Sequence, residues 1–165
     1  MIDEKLLKMR FTHYAVDIDM IKPVQAIMNR NCDPIINKPT NAYWASPMGE
    51  DYCTWEEWSN SNNMDIVDAY NYMYIFRLSK DAKILVIDDP AIFKDNENLL
   101  VENDNRYRIY NYCCNWPYIF DNYDGMLLIH GEHYSEFHAG LFYSWDCDSL
   151  VIWNADVVKD NIRKD

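Results

Sequence analysis

The chain is short of glycine and of positive charge, and it has no long apolar run. Its four glycines, Gly49, Gly125, Gly131 and Gly140, cannot build GxGxxG or GxxxxGK[ST]. A Rossmann or P-loop phosphate cradle is thereby excluded, and any nucleotide must be held by another architecture. Only 15 Lys and Arg stand against 27 Asp and Glu, a formal net charge of −12. Such a chain repels phosphate backbones, so non-specific nucleic-acid binding is not expected unless basic residues cluster locally. The same charge also suits an acidic surface that imitates a nucleic acid and blocks a nucleic-acid-binding protein. The longest apolar stretches are of the size of ILVI and MLLI, too short to cross a bilayer. No membrane partner is expected. The opening MIDEKLLKMR has scattered charges and no apolar h-region, which excludes a secretory signal there. Cysteine is odd in number: Cys32, Cys53, Cys113, Cys114 and Cys147. The adjacent pair fits neither a disulfide framework nor a CxxC knuckle. The expectation is a reduced, cytoplasmic protein with its thiols mostly buried as small apolar groups.

What is present is apolar and aromatic surface. Hydrophobic residues make up 49% of the 165 and aromatics 15%, enough for one domain, 1–165, with a real core. Residues 9–16 alternate as a first strand, and Asp17 can cap a helix over 18–30. NCDPIINKPT reads as a loop, and NAYWASP as a short strand stopped by Pro47. Thr54 with Glu57 three residues on is a capping box, and it sets Trp55 and Trp58 on one helix face. Residues 70–79 and 82–88 read as strands paired through SKDA. Asp89-Pro90 starts a helix to about 102, and NWPYIFDNY is a helical turn or two ending at Tyr123. DGMLLIH is a strand, and 131–140 a loop or short helix. LFYSW and SLVIWN read as strands, and ADVVKDNIR as a closing helical turn. The order predicts an α+β fold of two small, mostly antiparallel sheets with short helices.

Four local patterns are candidates for chemistry. In FTHY, His13 can hydrogen-bond a ribose or carbonyl, or serve the fold alone. In KPTNAYWASP, Tyr43 and Trp44 take opposite faces of a strand, so only one enters a cleft; Ser46 shares the face of Trp44. An aromatic ring there stacks a planar heterocycle. In YDGMLLI, Tyr123-Asp124-Gly125 makes a turn into a strand. In SWDCDSLVIWN, Asp146, Asp148 and Ser149 precede an apolar run. As a strand this stretch puts both aspartates on one face, where neighbouring carboxylates retain a proton. As a turn it is solvated. His130, His133 and His138 form no recognised ligand spacing, so no metal centre is expected.

In chain order, HYA at 13–15, KPTNAYWAS at 38–46, WEEW at 55–58, YDGM at 123–126 and WDCDSLVIWN at 145–154 resemble the ADP-ribosyltransferase fold. The branch is the one whose first strand reads HYT or HYS. More closely, they resemble a group of small phage and bacterial proteins patterned HYS…KPxGLWxS…W..WC…YDGI…WDxxSGxIWN. The pieces span almost the whole chain. The resemblance implies a cleft between two small sheets that holds NAD as substrate. It implies His13, with Tyr14, at the adenosine-side ribose, and Trp44 or Tyr43 stacked near the nicotinamide. An acidic group before the last strand would stabilise the cationic sugar as the glycosidic bond breaks. It further implies transfer of ADP-ribose to a macromolecular acceptor, more readily protein than nucleic acid, by a phage or toxin-type effector acting on host machinery in the host cytoplasm. The chain departs from that family at one point. Aligning SLVIWN with the family's glutamate-led strand puts Ser149 in the glutamate's place. Asp148 and Asp146 need a bulge to turn inward, and Glu132 and Glu136 are other sources of charge. Arg10, Lys38 and Arg77 are the cations available for the pyrophosphate. The alternative reading is a catalytically inactive acidic protein on the same fold that inhibits a host nuclease or defence complex by contact.

Overall fold

The computed structural model describes residues 4–17, 30–33, 37–64, 70–102, 112–138 and 140–163. In order these form α1 (Glu4–Lys8), β1 (Phe11–Ala15), β2 (Asn31–Asp33), β3 (Lys38–Thr40), β4 (Tyr43–Pro47) and α2 (Trp55–Ser61). Then come β5 (Tyr72–Leu78), β6 (Ile84–Ile87), α3 (Ile92–Asp95), β7 (Leu100–Glu102), β8 (Tyr112–Cys114) and α4 (Trp116–Asn122). The chain ends with β9 (Gly125–Leu128), α5 (Tyr134–His138), β10 (Ser149–Ile152) and β11 (Val158–Arg163). The fold is α+β and mostly antiparallel. The strands do not form two small sheets, however. Seven of them make one sheet in the order β11-β5-β1-β4-β10-β9-β6, and β2-β3 and β7-β8 are separate two-stranded ribbons. Among the described residues no helix is long and apolar enough to cross a membrane.

Local chemistry explains most of these elements. Thr54 accepts from the Glu57 N–H at 3.2 Å while the Glu57 carboxylate accepts from the Thr54 N–H at 2.9 Å, closing the capping box that starts α2. The indoles of Trp55 and Trp58 then stack, 5.0 Å apart. Asn115 caps α4 and Pro117 fills its first turn. Tertiary pairing overrides sequence pattern elsewhere. β6 does not pair with β5; it runs parallel to β9, from Ile84 beside Gly125 to Ile87 beside Leu128. The helix after Pro90 stops at Asp95, and the chain re-enters a strand at Leu100. NCDPIINKPT contains strands β2 and β3, residues 141–144 turn rather than extend, and the C-terminal segment is the edge strand β11. The helix expected over 18–30 lies almost wholly outside the described residues.

Strand β10 separates two cores. Leu150 and Ile152 face a cluster with Phe11, Tyr43, Tyr74 and Phe76. Val151 and Trp153 face the opposite cluster, with Trp116, Phe120, Met126 and Trp145. A strand buried on both sides reads as an unbroken apolar run, which is how LVIW stands in the sequence. The YDG and WN pieces hold each other: Trp153 Nε1 donates to the Tyr123 carbonyl at 2.6 Å, and Asn154 Nδ2 donates to Asp124 Oδ1 at 2.7 Å. Their role here is to clamp the end of β10 to the start of β9.

Candidate functional site

The sheet forks between β1 and β4. Their ladder carries only Phe11 opposite Pro47 and Thr12 opposite Ser46. Beyond Thr12, β1 stays with β5 as far as Ala15, while β4 pairs through Tyr43, Trp44 and Ala45 with β10. His13 bridges the fork. Its Nδ1 lies 2.6 Å from the Trp44 carbonyl, which can only accept, so Nδ1 carries the hydrogen. In the neutral ring Nε2 is then the acceptor. The imidazole also packs on the Tyr43 ring at 4.1 Å.

A cleft of about 280 Å3 opens at this fork. His13 and Tyr14 line one side, Trp44 and Ser46 the other, and the turn carrying Trp145, Asp146, Cys147 and Ser149 the third. Trp44 and Trp145 meet edge to face, with ring centres 4.7 Å apart. Lys38 Nζ sits 5.4 Å from the centre of one ring and 5.9 Å from the other. Burial pulls the Lys38 pKa below the ordinary lysine value, and the negative charge of Asp146 partly offsets that. Lys38 is placed by its neighbour Asn37, a buried residue in the left-handed region (φ 53°) that asparagine tolerates. Asn37 Oδ1 accepts from Trp116 Nε1 at 2.8 Å, and its Nδ2 donates to the Leu141 carbonyl at 3.1 Å.

The structure brings together His13, Tyr14, Trp44, Ser46, Asp146 and Ser149 of the sequence candidates. Tyr43 and Asp148 do not line the cleft. Tyr43 points into the core behind His13, as strand alternation requires once Trp44 faces the cleft. Asp148 is buried and fully engaged. Its Oδ2 accepts from the Cys53 N–H at 2.8 Å, and its Oδ1 from the His130 N–H at 2.6 Å with His130 Nδ1 at 3.1 Å. The expectation that Asp146 and Asp148 share a strand face fails because β10 begins at Ser149 and the residues before it turn. Asp148 pins two loops to the head of β10, and Asp146 lines the cleft. Glu132 and Glu136 lie outside the cleft beside His133, at 3.9 and 3.5 Å.

Several side chains of the cleft are already committed. Tyr14 donates its hydroxyl to Glu56 Oε2 at 2.7 Å, and burial with this carboxylate pushes its pKa above the ordinary phenol value. Ser46 Oγ accepts from the Trp55 N–H at 3.0 Å and so anchors the first residue of α2 to β4. Ser149 Oγ donates to the Cys147 carbonyl at 2.9 Å. Burial raises the Cys147 thiol to about 11, so it is not a thiolate nucleophile. Trp145 was not singled out from sequence. It is 1% exposed, lines the cleft, and its Nε1 has no hydrogen-bond partner among the described residues. Trp55 and Tyr70 complete the aromatic wall. Of the three cations considered for a pyrophosphate, Lys38 lines the cleft and Arg10 and Arg77 do not. No family model matches the chain, and neither a curated protein nor a solved structure matches it.

Proposed function

We propose that the fork cleft binds NAD and that the protein transfers ADP-ribose from it to a macromolecular acceptor. The observation that carries this reading is the convergence of His13, Trp44 and Asp146 on one cleft from three separate parts of the chain. Each supplies a different interaction. The Trp44–Trp145 pair offers an aromatic wall for a planar ring. His13 brings its imidazole, tied at one nitrogen to the Trp44 carbonyl, within the cleft to meet a ribose hydroxyl. Lys38 brings positive charge to phosphate oxygens in an otherwise acidic molecule. The unpartnered Trp145 Nε1 is a buried donor, and a carboxamide oxygen supplies the acceptor that it lacks.

Asp146 is assigned the electrostatic role. As the bond from sugar to nicotinamide breaks, its electron pair leaves with the nicotinamide, and positive charge develops on the sugar carbon. A fixed carboxylate beside that carbon lowers the barrier; one such group is worth about 3–4 kcal/mol, roughly 100- to 1,000-fold in rate. The acceptor then attacks and loses its proton. The experiment is nicotinamide release and mass-spectrometric detection of ADP-ribose on acceptors. Wild-type protein is expected to be active. Asp146→Asn is expected to slow release by roughly 100-fold or more at little cost in NAD affinity. His13→Ala and Trp145→Phe are expected to weaken binding. No nicotinamide release and no labelled acceptor would overturn transfer.

One observation favours a second reading. Ser149 holds the place of the expected glutamate, and the adjacent Asp148 is consumed by structural hydrogen bonds. A catalytically inactive protein of this kind, acting by contact through its acidic surface on a nuclease or defence complex, would give no product, and tight NAD binding in calorimetry would count against it.

A further inference from the structure

Lys159 of β11 and Arg77 of β5 stand on neighbouring strands, and Arg10 immediately precedes β1, the next strand in the sheet. Lys159 lies opposite Arg77. Phe11 lies opposite Phe76, so the same register carried back one residue sets Arg10 opposite Arg77. The Met48 N–H bonds the Arg10 carbonyl at 2.9 Å, which continues the alignment of β1 with β4 back to Arg10. The residues next to them, Phe11, Phe76, Leu78 and Val158, pack into the core. Alternation therefore turns all three cations to the other face of the sheet. With strands about 4.8 Å apart, the three positions span about 10 Å at the backbone, within the reach of long side chains converging on one small ligand.

Among the described residues no carboxylate pairs with these cations, although acids outnumber bases 27 to 15 in this chain. Like charges directly opposite on adjacent strands destabilise a sheet. Arg77 carries a further cost, since its Nε is buried and has no acceptor among the described residues. Both costs are relieved by one kind of ligand, a compact oxyanion that accepts from several N–H groups at once. An extended polyanion is less suited. The same face carries a depression of about 550 Å3 edged by Glu50, Glu56 and Glu57, and the whole molecule is strongly acidic.

We propose that Arg10, Arg77 and Lys159 form a binding site for a phosphate monoester dianion, separate from the fork cleft. Its source is either a free nucleotide or the terminal phosphate of a nucleic-acid strand. The site does not depend on the NAD reading, because none of the three residues lines that cleft.

The test is thermal shift and calorimetry at pH 8 and matched ionic strength. The probes are inorganic phosphate, AMP, and a short deoxythymidine oligonucleotide with either a 5′-phosphate or a 5′-hydroxyl end. Inorganic phosphate is expected to raise Tm saturably, with sodium chloride as the inert control. Lys159→Gln, an exposed change, is expected to weaken phosphate binding several-fold, and Arg77→Gln at least tenfold. Arg77→Gln is also expected to match or exceed wild-type stability without ligand. Asp146→Asn in the cleft should leave the phosphate response unchanged. Tighter binding by AMP that weakens in Arg77→Gln and persists in His13→Ala, or tighter binding by the 5′-phosphorylated strand that weakens in Arg77→Gln, identifies the source and supports the site. The proposal is overturned by no saturable response to phosphate, by an equal response in Arg77→Gln and Lys159→Gln, or by a 5′-hydroxyl strand binding as tightly as its phosphorylated form.

Discussion

Two aspartates two residues apart have opposite duties in this chain. Asp148 accepts backbone N–H groups from Cys53 and His130 in a dry interior, while Asp146 lines the cleft. Replacing Asp148 by Asn leaves one donor facing another, and is expected to cost roughly 3 kcal/mol in urea denaturation. Asp146→Asn, in the cleft wall, is expected to cost less than Asp148→Asn. Equal losses for the two variants would reverse these roles. The division was not legible in the sequence, because WDCDS read as a strand gives both carboxylates one face. The Trp44–Ser46 pair was legible, since β4 is a regular strand and alternation holds there. Trp145 is not legible locally, because it follows a turn, 141–144, whose apolar pattern LFYSW reads as a strand.

Elements in this fold owe their existence to sequence and their neighbours to packing. The capping box at Thr54 and the proline at the start of α4 are local signals, and both helices start where those signals place them. The pairing of β6 with β9 is a different matter, since nothing within ILVI states which strand it will meet. Glycine at 125 is one of the few residues whose identity reports that contact. A Cβ there would lie 2.6 Å from the Val151 carbonyl oxygen and 3.2 Å from Ile84 Cδ1, wedging β9 from both partners. Gly125→Ala is expected to destabilise by roughly 2 kcal/mol, read as a lower urea midpoint. An unchanged midpoint would mean that the strands separate without cost. The C-terminal segment shows the limit of pattern reading, because ADVVKDNIR carries helical spacing yet completes the sheet as β11.

At the scale of the whole molecule, buried thiols tie stability to pH. Burial raises Cys114 to about 12 and Cys147 to about 11, from an ordinary value of 9.0. The unfolded chain therefore releases these protons first. Their contribution is fully present below pH 9 and is lost as pH rises from 9 through 11 to 12. Tyr43, held protonated by burial, adds to the same loss above pH 10. Stability is expected to fall steeply between pH 9 and 12 in urea titrations, and Cys114→Ala should flatten part of that slope. A flat wild-type profile would contradict the burial of these groups. The acidic excess acts at this scale too, since local cations in the cleft and on the sheet face must work against the field of the whole chain.

The most direct test of the account is a calorimetric titration of NAD into the wild-type protein and into His13→Ala. The account predicts one saturable site in the wild type and at least a tenfold loss of affinity without the imidazole that spans the fork. Absence of NAD binding in the wild type, or equal affinity in both proteins, would contradict it.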